Sequence, residues 1–271
     1  LLVLGAHPDD AELKAGGLAA LYRRAGHAVR FVSMTDGSAG HHQMSGASLA
    51  ARRRAEAESA AATLGIESEV WEHPDGRLEP TLERREQVIR AIRGYRPDLV
   101  LTHRPNDYHP DHRAVAQLVQ DAAYLLTVPA LCPDTRHLRR DPVIAYLSDE
   151  FTRPWAFEPT VIIDVADVWD DKIGQLHEHR SQFYEWLPYN GSYEDDVPAH
   201  DDDRRAWLSA HVAVQSERLA LRFSAWMQRR YGYASGRIPR RIEAFEASEY
   251  GAPLDDEALA RLFPFAPRRV R

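Results

Sequence analysis

The stretch that most constrains the fold is Leu1 to Glu12. Four apolar residues, Leu1 to Leu4, end at Gly5 and are followed by Ala6, His7, Pro8 and two adjacent carboxylates, Asp9 and Asp10. A short apolar run closed by glycine reads as a buried strand, and the amphipathic stretch from Ala11 to Ala25 reads as the helix that follows it. The polar residues therefore sit at the carboxyl end of a strand, the edge at which open α/β sheets bind ligands.

The same alternation continues along the chain. Val29, Phe31 and Val32 mark a second strand between His27 and Met34, and residues 49–64 form an alanine-rich helix. Residues 66–71 read as a third strand. A helix from Thr81 to Tyr95 has Thr81 as its N-cap. Leu99 to Leu101 is a fourth strand, and a helix starts near Pro110, because proline suits the first helical turn. Strand–helix alternation up to about residue 125 predicts an α/β fold: a Rossmann-like, mostly parallel sheet with helices on both faces. Val143–Leu147 and Thr160–Val165 read as further strands. Residues 168–183 and 204–231 read as helices, 184–203 as irregular, and the remainder as loop or short helix, a C-terminal helical and loop extension. The organisation expected is a single domain over 1–271, with a core in 1–125 and additional strands, helices and cleft loops in 126–271.

Composition narrows the function classes. The net charge of −7 is well mixed along the chain, so no basic field favours nucleic acid. No apolar run approaches the roughly 18 residues that span a bilayer. Cys132 is the single cysteine, which argues against a disulfide framework and makes a reducing, cytoplasmic location the expectation. Only Lys14 and Lys172 are lysines among 34 basic residues, a bias expected of a GC-rich bacterial genome.

Two clusters carry the chemistry. His7-Pro8-Asp9-Asp10 and His109-Pro110-Asp111-His112 each follow a predicted parallel strand, so both lie at one sheet edge. Imidazole and carboxylate together suit Zn²⁺ and related divalent ions. Asp9 and Asp10 are adjacent on a turn and point differently, so one can bind metal while the other faces a coordinated water. His109 and His112 are three apart at a helix start and share a face. The Gly-rich loop from Thr35 to His42 should rim the same cleft, which makes Asp36 and His41 candidates for substrate contact. The aromatics Phe183, Tyr184, Trp186, Tyr189 and Tyr193 suit sugar rings, packing or a homo-oligomeric interface.

These motifs, with Gly16-Gly17, Arg53-Arg54-Ala55-Glu56-Ala57, Asp75-Gly76 and His179-Arg180-Ser181-Gln182, resemble the PIG-L/LmbE family of zinc-dependent de-N-acetylases. The resemblance implies His7, Asp10 and His112 as ligands of one Zn²⁺ per chain, with Fe²⁺ or another divalent ion suited to the same set. It implies Asp9 as general base, and a protonated His109 that assists the tetrahedral intermediate or the leaving amine. It implies Arg53 and Asp75 as substrate-binding residues. The partner implied is a small molecule, an N-acetylated sugar conjugate.

Rival readings are weaker. A dinucleotide-dependent oxidoreductase lacks its Gly-x-Gly-x-x-Gly turn, and Asp9 and Asp10 would repel a pyrophosphate. A metallophosphoesterase usually needs two metals, and the motifs supply ligands for one. A catalytically inactive binding protein would be expected to have lost the base, yet Asp9 and His109 are both present.

Overall fold

In the computed structural model, which describes residues 1–268, the chain alternates strand and helix from its start. β1 (Leu2–Gly5), α1 (Asp10–Arg24), β2 (Arg30–Thr35), α2 (Gly46–Leu64), β3 (Glu67–His73), α3 (Leu82–Tyr95), β4 (Leu99–Thr102) and α4 (Pro110–Ala123) form the first half. β5 (Val143–Leu147), β6 (Val161–Asp164), α5 (Trp169–Glu178), α6 (Leu187–Gly191), α7 (Asp201–Arg222), α8 (Ser224–Tyr231), β7 (Ile242–Gly251) and α9 (Asp256–Leu262) complete the described residues.

The strands form one sheet in the order β3-β2-β1-β4-β5-β7-β6. β1 to β5 pair in parallel, while β7 runs antiparallel between β5 and β6. The period of two sorts the side chains of β1. Val3 faces a core shared with Ala15, Leu18 and Ala19 of α1. Leu2 and Leu4 face the opposite core, shared with Ile89 and Ile92 of α3 and Val115 and Leu118 of α4. Both faces are covered, which is why the strands read as continuous apolar runs.

Register sets the site. Leu4 pairs with Thr102 across β1 and β4, and Thr102 pairs with Tyr146 across β4 and β5. The carboxyl ends are therefore level, and the loops after β1, β2, β4 and β5 emerge along one edge. Successive strands step from β1 toward β3 on one side, whereas β4 lies on the other side of β1. The crevice at that switch point is the expected ligand site.

Gly17 is needed where it stands. A Cβ there would lie 2.6 Å from Val165 Cγ1, so only glycine lets α1 approach this closely. The Gly17 and Leu18 amides each donate to Glu243 of β7 at 2.8 Å, fixing α1 to the far half of the sheet.

Three sequence expectations are corrected. The region after Tyr231 is not only loop and short helix, since it supplies the ten-residue strand β7. The helix expected over 204–231 begins at Asp201 and is broken at Phe223 into α7 and α8. Residues 184–203, expected to be irregular, contain α6 and the second half of a π-helical turn, Ser181–Trp186. Such turns widen a helix and often mark functional positions.

Candidate metal centre and cleft

The centre is built on the turn after β1. Asp9 caps α1 with φ 132°, a conformation that non-glycine residues rarely adopt. The strain is held by its surroundings. Leu13 N donates to Asp9 O at 2.9 Å, and Arg53 Nη2 donates to Pro8 O at 2.7 Å. Asp10 Oδ2 accepts the amides of Ala6 (3.0 Å) and His7 (2.8 Å), so its carboxylate is fixed under the turn.

On α4, His109 is the N-cap: its Nδ1 accepts the Asp111 amide at 3.2 Å, and Pro110 opens the helix. His112 Nε2 is thereby brought within 3.3 Å of His7 Nδ1. Asp10 approaches His7 Nδ1 through Oδ2 and His112 Nε2 through Oδ1, each at 3.5 Å. Ligand atoms about 2.0–2.1 Å from a tetrahedral zinc lie roughly 3.3–3.4 Å apart, so this spacing fits one ion. Both histidines present their other ring nitrogen to carboxylates. His112 Nδ1 lies 3.0 Å from Asp107 Oδ1, and His7 Nε2 lies 3.1 Å from Asp75 Oδ1 and 3.4 Å from Asp111 Oδ2. Carboxylates behind histidines are the usual means of orienting metal ligands. His/Asp sets able to hold an ion overlap here: His7 with His109 and His112, Asp10 with His103 and His112, and His7 with Asp75 and Asp111.

Electrostatics separate the two adjacent carboxylates. Burial pushes Asp9 up to about 6, reinforced by the charge of Asp10 and opposed by Arg53 and His179. Burial also acts on Asp10, but His112 and His103 outweigh it and hold its carboxyl well below the usual range. Burial lowers His109, as do the neighbouring His7 and His112. For Asp75, burial is outweighed by His7, Arg53 and the Ala39 amide, which keep its carboxyl at about 2.

A cleft of about 310 Å³ opens over these groups. His7, Asp9, Asp10 and His109 line it with Arg53 and Asp75, and so do Tyr108, Gln182, Trp186 and Asn190.

Comparison with known proteins now bears on the centre. The family description "PIG-L: GlcNAc-PI de-N-acetylase" matches residues 2–123. A diacetylchitobiose deacetylase of Thermococcus kodakarensis is 30% identical over 204 residues, covering 70% of this chain and 74% of the relative. The chain belongs to the PIG-L family. A 4-oxalmesaconate hydratase of Pseudomonas putida is 28% identical over 199 residues, 69% of this chain and 76% of that protein. The structure of an N,N'-diacetylchitobiose deacetylase from Pyrococcus horikoshii in complex with its inhibitor MPG superposes with TM-score 0.68. It is 24% identical, covering 91% of this chain and 82% of that one.

In this PIG-L chain the residues expected to touch substrate divide. Asp75 lines the cleft. Arg53 also borders it but is only 2% exposed; beyond Pro8 O it reaches Gly37 O at 3.3 Å and Asp9 Oδ2 at 3.3 Å. Its geometry is that of a residue positioning the Asp9 carboxylate. Asp36 and His41 are not among the residues that line the cleft. Asp36 Oδ1 accepts the amides of Ser38 (2.9 Å) and Asp75 (3.2 Å), shaping the two loops. Both ring nitrogens of His41 are used, Nε2 with Glu185 Oε2 at 2.9 Å and Nδ1 with the amides of Gln43 and Met44.

Two residues of the centre escaped the sequence reading. His103 Nε2 lies 3.2 Å from Asp10 Oδ2, and its ring stacks on that of His112 at 3.9 Å. Its signal was positional, the first residue after β4. Asp107 backs His112 from a loop that spells no motif.

Proposed function

We propose that the chain is a hydrolase that uses one divalent metal, zinc by preference, to remove the acetyl or related acyl group from an N-acylated amino sugar. The products are acetate and a primary amine. The observation that carries the reading is the coincidence of a single-ion ligand set, His7, Asp10 and His112, with a second carboxylate, Asp9, outside that set and beside it in one cleft. Relatives that act on diacetylchitobiose support the substrate class.

A divalent ion held by these three residues would polarise the amide carbonyl and lower the pKa of a coordinated water toward about 7. Asp9, held by Arg53, takes the proton of the attacking water as the new C–O bond forms. His109 accepts a backbone amide at Nδ1, so in its neutral form the hydrogen sits on Nε2. In this reading that Nε2–H donates to the developing oxyanion, a role His109 can fill without prior protonation. Asp9 then delivers its proton to the amide nitrogen as the C–N bond breaks. Gln182, Trp186 and Asn190, brought to the cleft by the π turn and α6, are in position to contact the sugar.

Similarity to the 4-oxalmesaconate hydratase favours a second reading, addition of water to an unsaturated acid. One experiment separates them. Metal-loaded protein is given N-acetylglucosamine, N,N'-diacetylchitobiose and an unsaturated dicarboxylate. Primary-amine release from the sugars supports the hydrolase. Loss of alkene absorbance without amine release supports the hydratase instead.

A further inference from the structure

Leu13 of α1 lines the cleft on one side and a second cavity of about 130 Å³ on the other. This second cavity lies between α1, α5, α7 and the loop after β5, at the same carboxyl edge of the sheet. Its ionic side chains fall into two groups. Glu243 is fully engaged, receiving Lys172 Nζ at 2.5 Å and the two amides of α1. Asp149 is held by the Arg104 guanidinium, with Nη1 at 3.0 and 3.1 Å from its two oxygens. The donors left over are Lys14, Ser148 and Arg218, with the amide of Gln215, whose side chains form no hydrogen bond or ion pair with any described residue.

We propose that this cavity is a binding site for a small oxyanion, a carboxylate or phosphate group, held by Lys14, Ser148 and Arg218. The carboxylates nearby do not oppose it, because Asp149 and Glu243 already have cationic partners; Glu150 stands exposed at the rim. Arg218 reaches in from the exposed rim, whereas Lys14 is taken from water without an acceptor, which is costly, and an oxyanion supplies that acceptor. Burial pushes the Lys14 ammonium down from its usual range despite the more distant carboxylates of Asp107, Asp10 and Asp149. The volume holds about four waters, room for an acetate or a phosphate. Two sources of the same chemistry fit: the acid released by acyl hydrolysis next door, or an anionic substituent on a substrate lying in the cleft.

The chain offers a direct probe, because Lys14 and Lys172 are its only lysines. Zinc-loaded protein carrying ¹³C at lysine Cε should give two signals, which Lys14→Arg assigns. Acetate, inorganic phosphate and chloride are titrated separately at matched ionic strength. The expected result is a Lys14 signal that moves and saturates with acetate or phosphate but not with chloride. Ser148→Ala and Arg218→Gln should each weaken that saturation about tenfold, in line with loss of one charge-assisted hydrogen bond. Saturation by acetate alone points to the released acid, and by phosphate alone to a substrate substituent. A shift that never saturates, or that chloride reproduces, overturns the site. Unchanged binding in both variants also overturns it, since the anion would then sit on the zinc. The titration stands whether or not the chain hydrolyses amides.

Discussion

Arg53 offers the sharpest test of how the cleft works. Its guanidinium is almost fully buried, bonds the carbonyls of Pro8 and Gly37, and lies 3.3 Å from Asp9 and 3.9 Å from Asp75. Two unit charges 3.3 Å apart interact by about 1 kcal/mol in water and about 5 kcal/mol at an effective dielectric near 20. One pKa unit is about 1.4 kcal/mol, so Arg53→Met should move the Asp9 carboxyl upward by about one unit or more. In the intact chain burial and the charge of Asp10, opposed by Arg53 and His179, hold Asp9 at about 6, and a bound cation would lower it from there. The intact enzyme should therefore show an acid limb of kcat/KM at or below about pH 6, and Arg53→Met should shift that limb toward neutral pH. Breaking a buried ion pair also costs about 3–5 kcal/mol, so thermal melting must be followed alongside to confine the rates to folded protein. The assay is a pH–rate profile with amine detection. A several-fold rise in KM with an unmoved acid limb would refute the reasoning and return Arg53 to substrate binding.

Other outcomes follow from the same geometry. Asp9→Asn should lower kcat about 10²–10⁴-fold while equilibrium dialysis still finds one metal per chain, because the ligands are untouched. Arg93 of α3 is 2% exposed and donates to the carbonyls of Leu125, Leu126, Val128, Leu131, Cys132 and Thr135. Arg93→Met leaves those carbonyls without their donor and should cost several kcal/mol in urea unfolding, above about 3 kcal/mol, with kcat unchanged below the melting point. Asp75 has its folded pKa depressed to about 2, so its contribution is present above the unfolded value near 4 and is lost as pH falls through 2. Across that window the metal-free protein should lose about 2 kcal/mol, a loss that Asp75→Asn abolishes in acid unfolding curves.

The half of the fold that was legible in sequence is the half in which local and tertiary signals agree. β1 is buried on both faces and stops at Gly5, and α4 opens with a capping histidine and Pro110. Each motif therefore announced both its element and its place at the sheet edge. β7 was hidden because Ile242–Gly251 carries Glu243, Glu246 and Glu249, which read as solvated chain. Glu243 is nonetheless 3% exposed, since Lys172 and the Gly17 and Leu18 amides of α1 engage it, and its contacts with α1 span more than 200 residues. The start of α7 was misread for a related reason: Asp201, Asp202 and Asp203 resemble an acidic loop but suit a helix N-terminus. In the site, Arg53, Asp36 and His41 were recognisable as polar residues near the cleft, but their roles depend on partners from distant loops. His103 has no motif, and only its position after β4 distinguishes it.

In the proposed reaction one ion, held by His7, Asp10 and His112, serves amide hydrolysis at Asp9. The most direct measurement is a titration of metal into chelator-stripped protein with amine release from N,N'-diacetylchitobiose as the readout. No release is expected from stripped protein, followed by a linear rise that breaks at one equivalent of zinc per chain. Full activity in the stripped protein, or a break at two equivalents, would contradict it.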